Sequence, residues 1–277
     1  MRITSRRFRL DTVPVRGNLG RMDASSRLDE EREFFDRQYG EQNRTHIERF
    51  YAIATRPYFE NMAELGKLAP GKSALEFGCG DTPDLGITLA EAGGRVRAFD
   101  LSSVAVERAR EKARDAGVEI DFQVMNGERL QYGDDEFDIV CGHGVIHHLD
   151  LTKAFPEIAR VLKPDGVAGF VEPWGHNPVI NWYRNRTDDF RTTDEHPLVR
   201  SDVELARRSF GTVEASHSNV MTLPAIPLTM TQRYGEGTGV FRRTLSALEK
   251  ADEFVCSRSR ALGNMGWTVR LVLRQPI

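Results

Sequence analysis

The chain has 277 residues, of which 40% are apolar and 29% charged, and its formal net charge is −3. That length holds one large α/β domain with accessory segments and leaves little room for two full domains. The mild acidity argues against a general nucleic-acid binder, and no apolar run reaches the length of a membrane span.

Cys79, Cys141 and Cys256 lie far apart and form no CxxC pair, so neither a zinc site nor a disulfide framework is expected. They read as free thiols of a reducing cytoplasm. Residues 1–22 carry Arg2, Arg6, Arg7, Arg9, Arg16 and Arg21 against Asp11. This reads as a basic flexible tail, although a transit peptide has a similar flavour.

Residues 23–70 read as a helical region. Asp23 can cap an acidic helix that begins near Arg27. Phe34, Phe35, Tyr39, Ile47, Phe50, Tyr51, Ile53 and Ala54 recur at helix-like spacing. Pro57 interrupts, a helix resumes over 58–65, and 69–72 turns into a strand. Two readings stand for this region. It is a packed side layer, or it is a lid that brings Tyr39, Arg44, Arg49 and Tyr51 over a ligand.

From position 73 the pattern becomes β-α-β. Strands are expected at 73–77, 95–99, 120–124, 137–141 and 167–171. Helices are expected at 84–92, at 152–162, and from the Ser102-Ser103 cap to Gly117. The stretch 163–166 should end the helix before the fifth strand. A proline- and aromatic-rich insertion follows at 173–197. Beyond it come a helix near 202–208, a strand near 212–216, an irregular stretch at 221–234, a helix at 240–259 and a last strand at 268–273.

The first strand ends on Glu76 and Phe77 and leads into Gly78-Cys79-Gly80-Asp81, and the second ends on Asp100. This is the front half of a nucleotide-binding sheet. A dinucleotide fingerprint starting at Gly78 needs glycine at position 83, where Pro83 stands. An acid just before the turn repels a diphosphate and suits a ligand carrying an amine and a sulfonium.

The segment ALEFGCGDTPDLGITLAEAG resembles the first motif of class I S-adenosylmethionine-dependent methyltransferases. FDLSSVAVERAREKA resembles the second, MNGERLQYGDDEFDIVCGHGVIHHL the third and fourth, and EIARVLKPDGVAGFVEP the fifth. GWTVRLVLRQP is similar to the family's antiparallel seventh strand. EFFDRQYG, RFYAI and the segment around Trp182 resemble a small-molecule, ubiquinone-methylating branch. The resemblance implies a Rossmann-like seven-stranded sheet, mostly parallel with the last strand antiparallel, and helices on both faces. It also implies a methyltransferase domain over 71–277, with pocket insertions at about 173–200 and 218–262, and a helical lid over 23–70.

The resemblance also implies roles. Gly78, Cys79 and Gly80 would approach the methionine part of S-adenosylmethionine, and Glu76 would help hold its amino-acid end. Asp100 would accept both ribose hydroxyls, because a carboxylate offers two oxygens to a cis-diol. Its other role would be to cap the following helix. Leu101 would pack on the adenine. Asn126 stands where the family has aspartate and keeps an acceptor oxygen for the adenine amine, next to Gly127 and Glu128. Gly142 and His143 would border the sulfonium.

Glu172, His143, His147 and His176 are the candidate bases. Hydrogen bonding of Glu172 to the backbone of the insertion is the alternative role. Metal binding by His147 and His148 is not expected, because neighbours on a helix point apart and no third ligand is evident. Trp174, Trp182, Tyr183, Arg184 and His196 would shape the acceptor pocket with Tyr39 and Tyr51. The alternative is a structural clasp of Arg184, Arg186 and Arg191 on Asp188, Asp189 and Glu195.

The expected activity is methyl transfer to a small-molecule acceptor, O-methylation in secondary metabolism. C-methylation of an aromatic, quinone or terpenoid acceptor stands beside it, as does a methyltransferase fold that uses the cofactor without transfer. A cytoplasmic protein, no nucleic-acid partner and a homodimer complete the expectation.

Overall fold

The computed structural model describes residues 24–40, 53–184, 195–225 and 239–277. The expected basic tail at 1–22 lies outside them, as do Arg44, Arg49, Tyr51, Arg186 and Arg191. Helix α1 (Ala24–Gly40) and helix α2 (Arg56–Leu68) precede the sheet. Pro57 occupies the first turn of α2, where its missing N–H costs no hydrogen bond. It therefore starts a helix instead of interrupting one.

Strands β1 (Ser73–Phe77), β2 (Arg95–Asp100), β3 (Ile120–Val124), β4 (Phe137–His143) and β5 (Leu162–Pro173) are parallel neighbours. Strand β7 (Thr268–Pro276) runs antiparallel between β5 and β6 (Phe210–Ser218). The order β3-β2-β1-β4-β5-β7-β6 reverses direction between β1 and β4. The expected seven-stranded, mostly parallel sheet is present, and its switch point is where open α/β sheets place ligands.

Alternation along β1 sets the two faces. Leu75 and Phe77 enter a core with Phe155 and Ile158 of helix α5 (Leu151–Val161). Ala74 meets Leu65 of α2, and Leu85 and Leu89 of helix α3 (Asp84–Glu91), on the other face. Helix α4 (Ser103–Asp115) lays Val106, Ala109 and Ala113 on Ala98 and Phe122. Each fully buried phenylalanine is worth roughly 1.5–3 kcal/mol. Burial of both faces explains why the strands read as near-continuous apolar runs.

One element departs from expectation. Val161 passes directly into β5, and 163–166 does not form a separate helix stop. Pairing with β4 jumps from Phe137–Leu162 to Ile139–Val167, so the Pro164-Asp165-Gly166 turn chemistry is absorbed as a bulge.

After β5 come helices α6 (Pro178–Arg184), α7 (Arg200–Ala206), α8 (Gly239–Arg258) and α9 (Arg260–Gly263). No helix among the described residues is long and apolar enough to cross a membrane.

Candidate active site

The loops at the C-terminal ends of β1, β2, β3, β4 and β5, together with α1, enclose a cavity of about 560 Å³. Its two ends are built differently. The β1–β2 end is made of backbone. Gly78 and Gly80 have φ of 61° and 57°, in the left-handed region that favours glycine. A Cβ on Gly78 would overlap the Val145 side chain, and one on Gly80 would lie 3.0 Å from the Tyr39 hydroxyl.

Asp100 holds this turn in place. Its Oδ2 accepts from the Gly80 N–H at 2.8 Å and its Oδ1 from the Ser102 N–H at 2.9 Å. The helix cap belongs to Ser102, whose Oγ accepts from the Ala105 N–H at 3.1 Å. Glu76 is buried, and its Oε2 accepts from the Gly86 N–H at 3.0 Å. Burial pushes its carboxyl up to about 8, the Gly86 N–H opposes that, and Asp84 adds to the rise.

Cys79, Leu101, Asn126 and Gly127 line the same end. The Asn126 Oδ1 accepts from the Glu128 N–H at 2.9 Å, which fixes the side chain facing the cavity. Glu128 does not line the cavity. Its carboxylate pairs with Arg27 of α1, accepts from the Asp150 N–H at 2.9 Å and meets Lys153 at 3.3 Å. Gly142 also stays off the wall, inside β4, where a Cβ would come 2.9 Å from the Phe77 carbonyl oxygen.

The far end is made of side chains. Glu172, at the tip of β5, is 1% exposed. Its Oε1 accepts from the Val145 and Ile146 N–H groups at 3.1 and 3.2 Å, and its Oε2 lies 2.6 Å from His147 Nδ1. Burial pushes its carboxyl up to about 7 against those two N–H groups and His143. Its backbone bonds run to the loop after β4 instead of to the expected insertion, and they hold it where it orients an imidazole.

The His143 ring is exposed to the void of the cavity and stacks on Tyr58 with ring centroids 4.3 Å apart. Desolvation by the surrounding protein lowers the His143 imidazole's pKa, and Glu172 partly offsets the shift. His148 touches Phe35 of α1 at 5.4 Å, and its Nδ1 lies 3.5 Å from Glu31. Burial pushes the His148 imidazole well below its ordinary range, helped by His147.

His147 and His148 do not point apart. They sit on a 3-10 turn, Ile146–His148, with ring centroids 4.1 Å apart. Glu195 supplies a neighbouring carboxylate, and one ligand atom from each of the three lies within 4.8 Å of the others. The two rings meet on this turn, so the expectation that they point apart does not hold.

Several expected acceptor-pocket residues fall elsewhere. Trp174 is buried with its ring against His176 and His217, off the cavity wall. Its backbone N–H donates to the Trp267 carbonyl and that of Gly175 to the Leu198 carbonyl. His176 accepts from the Arg200 N–H at 3.2 Å and does not line the cavity. Trp182 is 59% exposed on α6. Arg184 is buried and reaches Glu195 at 3.4 Å, which is part of the expected clasp. The His196 N–H donates to the His147 carbonyl at 3.0 Å, bracing the histidine turn from behind. The Tyr183 side chain lies outside the described residues.

Tyr39, Glu76, Gly78, Cys79, Gly80, Asp100, Leu101, Asn126, Gly127, His143, His147 and Glu172 do share the cavity. Sequence reasoning missed Glu31, Gln38, Thr55, Tyr58, Trp267 and Thr268, which also line it. The face Leu28, Glu31, Phe35, Gln38 was open to discovery, since its i, i+3, i+7 spacing runs along one side of α1. Trp267 and Thr268 carry no such signal, because only the sheet order brings β7 beside β5.

Residues 75–170 match the family model described as "Methyltransferase domain". This part of the chain is a methyltransferase domain. Demethylmenaquinone methyltransferase of Lactobacillus johnsonii is 36% identical over 121 residues, which is 41% of this chain and 49% of that protein. The chain spans about half the length, or less, of the curated relatives it matches. Among solved structures, Haemonchus contortus phosphoethanolamine N-methyltransferase 2 aligns with a TM-score of 0.59 at 20% identity, over 89% of this chain and 60% of that one. A geranyl diphosphate methyltransferase aligns with a TM-score of 0.55 at 18% identity, over 80% of this chain and 77% of that one. Both likenesses concern the fold.

Proposed function

We propose that the protein transfers a methyl group from S-adenosylmethionine to a small-molecule acceptor in this cavity. The observation that carries the reading is the pairing of a bare glycine turn with buried carboxylates at the tips of β1 and β2, all on one cavity wall. These residues fit the donor. Gly78, Cys79 and Gly80 present backbone without side chains in the way, Glu76 suits an ammonium group, and Asp100 keeps lone pairs for a ribose diol. Asn126, Gly127 and Leu101 line a slot for the adenine. The volume also fits, since ligand pockets commonly measure ~300–1,000 Å³. When bound, the donor supplies a methyl group already activated by its sulfonium.

The protein's task is then alignment and exclusion of water, effects that can supply ~7–11 kcal/mol. Helix α1 serves as the cover, with Phe35 and Tyr39 facing inward and Asp36 accepting from the Ser102 hydroxyl. His143 and Tyr58 flank the transfer point. Glu172 has both oxygens engaged, so it acts through His147, which faces the acceptor and receives its proton. That arrangement suits a hydroxyl acceptor and O-methylation.

C-methylation of a quinone is the second reading. It is favoured by the name of the Lactobacillus relative and by the apolar wall of Phe34, Phe35 and Trp267. The test is transfer of a labelled methyl group to a panel of phenols, hydroxyquinones and prenylated compounds, with S-adenosylhomocysteine quantified. A labelled oxygen ether supports the first reading and a labelled ring carbon the second. No S-adenosylhomocysteine with any acceptor, despite tight donor binding, would favour a fold that holds the cofactor without transfer.

A further inference from the structure

At the acceptor end of the cavity, we infer that His147, His148 and Glu195 form a binding site for a divalent first-row transition metal ion. One ligand atom from each lies within 4.8 Å of the other two. Two imidazoles and one carboxylate are a donor set that suits zinc and its neighbours better than magnesium or calcium. Ligand atoms around a tetrahedral ion with ~2.0–2.1 Å bonds stand roughly 3.3 Å apart, so atoms within 4.8 Å of one another close on it by drawing in by no more than about 1.5 Å.

A second observation comes from outside the ligand set. His147 Nδ1 meets the buried Glu172 carboxylate at 2.6 Å, which directs coordination through Nε2. A carboxylate behind a ligating histidine fixes its tautomer and raises its basicity. His148 repeats the arrangement more loosely, with Nδ1 3.5 Å from Glu31. The Glu31 and Glu172 carboxyls thus stand behind the two imidazoles, and the guanidinium of Arg184 lies beside Glu195.

The site shares its cavity with the glycine turn, so an ion here faces the place of methyl transfer. An oxygen-bearing acceptor is the class of molecule that would complete its coordination shell, and this clause alone rests on the proposed methyl transfer. With an ion on Nε2, His147 works as a ligand and the ion takes over the acidifying of the acceptor hydroxyl.

The experiment titrates chelator-stripped full-length protein with Zn²⁺ by calorimetry and with Co²⁺ by visible absorption. Each titration is run with and without S-adenosylhomocysteine. One ion per chain and cobalt d–d bands of an ordered low-coordinate site are expected. His148→Ala and Glu195→Gln should each weaken metal binding at least tenfold, and Glu172→Gln should weaken it ~10–100-fold through His147. S-adenosylhomocysteine affinity, unchanged in His148→Ala and Glu195→Gln, reports that both variants are folded. Absent binding, or binding that the His148 and Glu195 variants leave untouched, overturns the site. Failure to bind S-adenosylhomocysteine would instead strike the donor reading and leave the metal result standing.

Discussion

The two ends of the cavity are built on opposite plans. The donor end is backbone held by carboxylates, drawn from one stretch of chain between β1 and β3. The acceptor end is side chains drawn from α1, α2, the β4 loop, the tip of β5, Glu195 and β7. A backbone site tolerates little change, because its shape is set by φ angles and close approaches. A side-chain site can be respecified residue by residue without moving the sheet.

The largest effect should come from forcing a side chain into the donor end. Gly78→Val combines a left-handed φ with overlap on Val145. It should abolish S-adenosylhomocysteine binding in calorimetry, and near-normal affinity would mean the turn does not touch the donor. Asp100→Ala comes next. Losing two charge-assisted hydrogen bonds to the ribose and the clamp on Gly80 should cost about 100-fold in donor affinity.

At the other end, Glu172→Gln should slow transfer by about 10²-fold while donor affinity stays within about threefold. An equal loss of both would erase the division between the ends.

A smaller effect is proton linkage at Glu76. In the free protein its carboxyl titrates at about 8, raised by burial, so at neutral pH it is mostly neutral. A donor ammonium favours the ionised form, so binding should release protons, and affinity should climb as pH rises toward 8. The same raised value means that this group's contribution to stability is present in acid and is lost as pH rises through about 8. Binding heats measured in buffers of different ionisation enthalpy read the release, and Glu76→Gln should remove it. Heats that do not depend on the buffer would show that Glu76 keeps one protonation state. The smallest effect should be Trp182→Ala, an exposed position off the cavity, with melting and donor affinity changed by no more than about 0.5 kcal/mol.

The same contrast explains what the sequence disclosed. The sheet and donor end were legible because short apolar runs, Gly78, Gly80 and Asp100 follow one another within a single β-α-β unit. Glu172 and His147 were legible as candidates but not as a pair, since 25 residues separate them and only the pairing of β4 with β5 joins them. Trp174, Trp182 and His176 looked like a pocket because aromatics cluster there in sequence. Trp174 instead packs on His176 and His217 off the cavity wall, and Trp182 is exposed. Tyr58 and Thr268 came from elements whose docking no local pattern encodes. The histidine turn misled because the contact of its two rings, and the approach of Glu195 from 47 residues on, are tertiary features that no local spacing encodes.

The most direct test titrates S-adenosylmethionine into the wild-type chain and into Asp100→Ala side by side. One donor per wild-type chain and a loss of about two orders of magnitude in the variant are expected. Equal affinity in both proteins, or no binding heat in either, would contradict it.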